Sequence, residues 1–187
     1  RCGYDRRKMV VIPNGYDVTH LTPDPAGRLR LRAEWSVKPG TILLGMVARW
    51  DPAKDHGTMI AGLAALQANP SVNWHCVFAG TGMVVGNPEL CALLDKAGVR
   101  SMVTLLGPRR DIPTVMSALD LHVLSSASEA FPNVVAEAMA CGTPVAAYPV
   151  TGPYYLNLAN YGVSGFNPTL PIAYRWRMQD FGNRVIE

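Results

Sequence analysis

Apolar residues in this chain gather into short unbroken runs, separated by longer stretches in which they recur every three or four positions. The runs at 41–48, 74–79, 102–106, 121–124 and 144–147 have the length of strands covered on both faces. A further run at 9–12 precedes the turn signal Pro13-Asn14-Gly15. The stretches at 27–35, 56–68, 88–97, 112–118 and 132–141 have the spacing of helices. Within 56–68, Met59, Ile60, Leu63 and Leu66 share one side, and Asp55 stands in the capping position. The last helix places Pro132 at its first position, where a missing N–H costs nothing, and Gly142 followed by Pro144 stops it. Such alternation predicts right-handed βαβ units, hence an α/β fold with a Rossmann-like parallel sheet flanked by helices. Ligands of these sheets bind beyond the carboxyl ends of the strands. The chemistry is therefore expected in the loops 48–55, 80–87, 107–111, 125–131 and 148–153.

Composition narrows the class. The chain has 187 residues, 49% of them apolar, enough for one well-filled core. No apolar run approaches the ~20 residues of a membrane span. A net charge of +3 is too small to call for nucleic acid or an anionic membrane. The basic run Arg28-Leu-Arg-Leu-Arg32 reads as the solvated face of a short helix. Cys2, Cys76, Cys91 and Cys141 lack Cys-x-x-Cys spacing and fit buried thiols in a reducing compartment. His122, in an apolar run, reads as a core residue, and no grouping of histidines or cysteines calls for a metal. The chain opens Arg1-Cys2-Gly3 without an initiator Met, which reads as a fragment or an excised domain.

The candidate chemistry lies in the predicted loops. Glu129 and Glu137 are separated by seven residues, one before the last helix and one inside it. Val134, Val135, Ala138 and Cys141 form that helix's apolar stripe, with Glu137 at its edge. A carboxylate beside a buried face is costly unless something hydrogen-bonds it, and vicinal sugar hydroxyls would. Arg49 and Lys54 follow the first long strand, two cations at a helix N-terminus suited to a diphosphate. Gly80 and Gly82 after the next strand permit close backbone approach to a ligand. They do not complete a dinucleotide fingerprint: Gly86 is one residue late, Asn87-Pro88 follows, and no acid ends the strand at 102–106. Asp111, after Arg109 and Arg110, reads as a helix cap. Phe131, Pro132 and Asn133 open a helix whose free N–H groups would face phosphates.

The run from Glu129 to Glu137, with Ala138-Met-Ala-Cys-Gly-Thr-Pro144 after it, resembles the Glu-x7-Glu motif of the retaining glycosyltransferases of family four (group 1), which have the GT-B fold. The resemblance extends over residues 9 to about 149. It implies the carboxyl-terminal half of a GT-B enzyme, with a hinge segment at 1–15, a nucleotide-sugar-binding domain at 9–153 and a divergent or truncated end at 154–187. It implies that Glu129 lies beside the donor sugar, Glu137 holds the ribose hydroxyls, and Arg49 and Lys54 contact the diphosphate. The backbone near Arg109 would read the nucleobase.

The donor so implied is a UDP- or GDP-sugar. No Asp-x-Asp occurs, so a metal-dependent donor site is not expected. The amino-terminal acceptor domain would be missing, leaving this half inactive alone. A glycan or lipid-linked acceptor in polysaccharide biosynthesis, met at the cytoplasmic face of the inner membrane, is the expected context. Two other readings stay open: a nucleotide-sugar-binding module without catalysis, and a GT-B-like sugar-nucleotide epimerase.

Overall fold

The computed structural model describes residues 10, 14–129 and 132–147. In chain order these form α1 (Pro25–Glu34), β1 (Ile42–Val47), α2 (His56–Gln67), β2 (Trp74–Ala79), α3 (Pro88–Lys96), β3 (Val103–Gly107), α4 (Ile112–Ala118), β4 (Leu121–Leu124), α5 (Asn133–Ala140) and β5 (Val145–Ala147). Every helix and strand expected within the described residues is present, with ends no more than two residues from expectation. The run at 9–12 lies outside the described residues apart from Val10, as do the loop 148–153 and residues 154–187.

The strands form one parallel sheet in the order β3-β2-β1-β4-β5. The chain winds outward from β1 to β3, then returns to lay β4 on the other side of β1. Connections leaving β1 and β4 run in opposite directions, which opens a crevice at their carboxyl ends. The strands are mostly apolar because both faces are covered, the exceptions being His75, Thr104 and His122. Leu43 and Val47 face Leu31, Val115, Met116, Val135 and Ala138. Leu44 and Met46 face Met59, Ile60, Leu63, Leu90 and Leu94. His122 is fully buried in β4, as its surroundings predict, and its Nε2 accepts the Val47 N–H at 3.4 Å.

The amino edge of the sheet is closed by an ionic clamp, which corrects the reading of the basic run. Arg28 Nη1 donates to the carbonyls of Ser117, Ala118 and Leu119, and Arg32 Nη1 to that of Ala118. Both guanidiniums reach the Asp120 carboxylate, which also accepts the Leu43 N–H at 2.7 Å. The spacing of four residues places the two arginines on the inner side of α1, where orphan carbonyls at the carboxyl end of α4 need donors. Of the three arginines only Arg30 is exposed, as expected of a solvated face, and Leu29 beside it is exposed too. With that edge closed, the carboxyl edge is left for chemistry.

Candidate functional site

The loop leaving β1 is shaped by Asp51. Its Oδ1 accepts the Ala53 N–H at 2.9 Å and caps a single 3-10 turn, Pro52–Lys54. Its Oδ2 takes Arg49 Nε at 3.0 Å and Nη2 at 2.9 Å. The Ala53 N–H and the guanidinium together hold Asp51 below the usual carboxylate range. Arg49, with 64% of its side chain exposed, thus stands at the mouth of the crevice with a counterion already attached. Lys54 ends the turn and points inward, 17% exposed. Asp55 then caps α2 through the Thr58 N–H at 3.1 Å, as predicted.

The loop leaving β4 is laced to this one. Ser125 Oγ donates to the Lys54 carbonyl at 3.0 Å, and the Ala127 N–H to the Ala53 carbonyl at 2.9 Å. These bonds bring Glu129 against Lys54 although 75 residues separate them. Lys54 Nζ lies 2.6 Å from Glu129 Oε1, and Ser126 Oγ donates to the same oxygen at 2.5 Å. Glu129 is 7% exposed. Its Oε2 has no partner among the described residues.

Helix α5 starts one residue later than predicted. Pro132 has ψ of 81° and flanks the helix, its carbonyl accepting the Val135 N–H at 3.0 Å, and it has no N–H of its own to offer. Asn133 opens the helix instead, and its Oδ1 accepts from Asn14 Nδ2 at 3.1 Å and from the Tyr16 hydroxyl at 2.8 Å. One turn further, Glu137 is half-buried, and burial raises its pKa. Its carboxylate has neither hydrogen bond nor ion pair among the described residues. It opens into a pocket of about 420 Å³ lined also by Asn14, Tyr16, Asp17, Leu21 and Asn133. A larger depression, about 540 Å³, lies where α1 and α4 begin, beside Pro23, Pro25, Arg110 and Pro113, and shares no residue with this pocket. Phe131 lies outside the described residues.

The remaining expected residues are placed differently. A Cβ on Gly80 would lie 2.1 Å from the Ala48 carbonyl oxygen, and one on Gly82 would lie 2.5 Å from Trp50 Cβ. Their φ angles are +141° and +82°. The close approach that the glycines permit in this structure is to the β1 loop. Arg109 forks onto Asp111 at 2.8 and 2.6 Å and lies 3.9 Å from Glu34. Asp111 occupies the capping position of α4, yet its carboxylate is taken by Arg109 and caps nothing. Among the described residues no three of His, Cys, Asp and Glu converge as a metal site. Cys76 and Cys141 are buried, and burial pushes both thiols up, Cys141 to about 11.

The structure therefore brings together Lys54, Glu129 and Ser126 at one point, and Glu137, Asn133, Asn14 and Tyr16 at another. It leaves Arg49 and Arg109 each bound to an aspartate two residues on. Ser126, Asp51, Asn14 and Tyr16 were missed by sequence reasoning. The usable signals were the serine run before Glu129, the Arg-x-Asp spacing, and the turn signal around Gly15.

Comparison with known proteins gives this geometry its context. The family described as glycosyl transferases group 1 matches residues 28–167. A D-inositol 3-phosphate glycosyltransferase of Segniliparus rotundus is 32% identical over 151 residues, 79% of this chain and 33% of its own length. The chain spans about a third of the length of the curated relatives it matches. The crystal structure of Anabaena Alr3699/HepE in complex with UDP-glucose is 31% identical, with a TM-score of 0.73 over 88% of this chain and 44% of that one. WaaG, a glycosyltransferase involved in lipopolysaccharide biosynthesis, is 30% identical, with a TM-score of 0.62 over 74% of this chain and 37% of its own. The sheet described above has the fold seen in GT-B glycosyltransferases. The chain belongs to the group 1 glycosyl transferases.

Proposed function

We propose that this chain is the nucleotide-sugar-binding domain of a retaining glycosyltransferase, with the donor lying across the crevice between β1 and β4. The observation that carries this reading is the meeting of Lys54 and Glu129 at the point where the strand order reverses. A cation for the diphosphate and a carboxylate for the sugar are what a nucleotide sugar needs at adjacent positions. Glu137, beside a pocket and without a partner among the described residues, would accept the ribose hydroxyls as donors to its half-buried carboxylate. Arg49 would meet the diphosphate by exchanging Asp51 for it. The amino-terminal turn of α5 adds a partial positive charge. These groups answer the charge of the leaving group, so the reading calls for no metal. Gly80, Gly82 and Arg109 act here by shaping the surrounding loops, with the backbone near Arg109 meeting the base.

In the reaction so proposed, an acceptor hydroxyl attacks the anomeric carbon from the face that the nucleoside diphosphate leaves. The C–O bond to phosphate breaks, the C–O bond to the acceptor forms, and the hydroxyl proton passes to a leaving phosphate oxygen. Glu129 orients the sugar and stabilises positive charge at the anomeric carbon. A second domain would bring the acceptor. We favour a lipid-linked glycan at the cytoplasmic membrane face, consistent with one neighbour's place in lipopolysaccharide biosynthesis. The names of the curated relatives favour a second reading, in which the acceptor is a phosphorylated polyol. No helix among the described residues is long and apolar enough to cross a membrane.

Calorimetric titration with UDP and with GDP, in EDTA and again with magnesium, tests the donor reading. Binding of one nucleotide, unchanged by EDTA and weakened at least tenfold in Glu137→Ala, is the expected result. Equal affinity in wild type and variant would remove Glu137 from the site.

A further inference from the structure

Lys54 and Ser126 hold Glu129 by the same oxygen, and they are not equivalent. Lys54 is a long side chain ending in a charge, and the proposed donor brings a diphosphate that competes for that charge. Ser126 is short and 1% exposed, and its hydroxyl has no competing partner among the described residues. Its neighbour Ser125 is equally committed, to the Lys54 carbonyl, so the two serines fix both ends of the contact between the loops. We infer that Ser126 is the positioning residue for Glu129, retaining Oε1 when Lys54 turns to the diphosphate so that Oε2 stays aimed into the crevice.

This rests on the donor reading above, and it adds an order of events. In this structure Lys54 and Ser126 share Oε1. With a nucleoside diphosphate present, Ser126 alone keeps it. Loss of the Ser126 hydroxyl therefore matters little for binding the nucleotide and much for holding the sugar. A short charge-assisted hydrogen bond lost from a buried carboxylate corresponds to roughly a tenfold effect.

The test is a double-mutant cycle on the chain in its longest available form, with UDP, GDP, UDP-glucose and GDP-mannose as probes. Ser126→Ala should leave the affinity for the nucleoside diphosphate within about twofold and lower that for its nucleotide sugar by about tenfold. In a Glu129→Gln background the same substitution should cost no more than about twofold, since a positioning residue acts only through the group it positions. Ser126→Cys keeps the volume with a weaker donor, and it should reproduce the pattern should the alanine variant melt early. Equal losses for nucleotide and nucleotide sugar, the same loss in both backgrounds, or no loss at all would overturn the role of Ser126. Failure of the wild type to bind any probe would instead overturn the donor reading on which it rests.

Discussion

Lys54 Nζ and Glu129 Oε1 lie 2.6 Å apart, 17% and 7% exposed, at the junction of the two central loops. Removing one partner of a largely buried pair leaves the other charge without compensation. Lys54→Met should destabilise the fold by about 3 kcal/mol in urea melts. Glu129→Gln should cost less, because an amide still accepts the Ser126 hydroxyl. It should also raise the affinity for a nucleoside diphosphate, since it releases Lys54 from its internal counterion. A calorimetric titration showing weaker nucleotide binding in Glu129→Gln would contradict that account.

Glu137 carries the opposite trade. Burial raises its pKa from the ordinary value of 4.5, so the folded state binds its proton more tightly than the unfolded state. Its contribution to stability is fully present below about 4.5 and is lost as pH rises through the raised value. Glu137→Gln should therefore melt higher than wild type at pH 7, by roughly 1–3 °C, and at the same temperature below pH 4. The same variant should bind nucleotide more weakly. Scanning calorimetry at the two pH values measures the first effect.

Gly80 packs the loop after β2 against the loop after β1. An added Cβ would strike the Ala48 carbonyl oxygen at 2.1 Å, in backbone with φ of +141°. Gly80→Ala should cost about 2–4 kcal/mol, since either the β1 loop or the β2 loop must move. Because Arg49 and Trp50 follow Ala48 directly, nucleotide affinity should fall with stability. Denaturant melts and titration of the same preparation would show whether the two losses travel together.

At the other end of the sheet, Asp120 should separate stability from binding. Burial alone would raise its pKa, but the Leu43 N–H and the guanidiniums of Arg28 and Arg32 outweigh it and hold it low. Its stabilisation is present above the unfolded value near 3.8 and is lost as pH falls through the lower folded value. Asp120→Ala leaves two part-buried arginines uncompensated and should cost about 2–4 kcal/mol at pH 7. Among the folded molecules at low temperature, nucleotide affinity should be unchanged, because Asp120 lies at the amino edge of the sheet.

His56 and His122, with His75 whose pKa burial also lowers, contribute to the fold's response to mild acid. Burial lowers the pKa of His56 and of His122 to about 4, against 6.5 when free. The unfolded chain then binds more protons between those values, so stability is full above about 6.5 and falls as pH drops toward 4. His56 Nε2 has no hydrogen-bond partner among the described residues, and its ring centroid lies 4.9 Å from that of Trp50 and 6.3 Å from that of Phe78. His56→Phe should fold, and urea melts of that variant should show a shallower loss between pH 6.5 and 4.5.

The alternation of apolar runs and helical spacing was sufficient to place every described strand and helix, because strands covered on both faces must be mostly apolar and helices must carry a stripe. The Glu-x7-Glu run and its flanking residues likewise identified the family from one dimension, since the two acids and the helix between them are local. What the sequence alone did not decide is which charges meet. Arg28 and Arg32 look like a solvated run until α1 is packed against the last carbonyls of α4. Arg49 and Lys54 look alike as loop cations, yet one is held at the surface by Asp51 and the other is turned onto Glu129. That Gly80 and Gly82 must be small to pass the loop after β1 is set by the pairing of β1 with β2. Ion pairing depends on distances that the chain establishes across tens of residues. For Lys54 with Glu129 and for Arg28 and Arg32 with Asp120 it is therefore decided by the order of strands in the sheet, whereas Arg49 and Arg109 meet aspartates two residues on, which the Arg-x-Asp spacing does report.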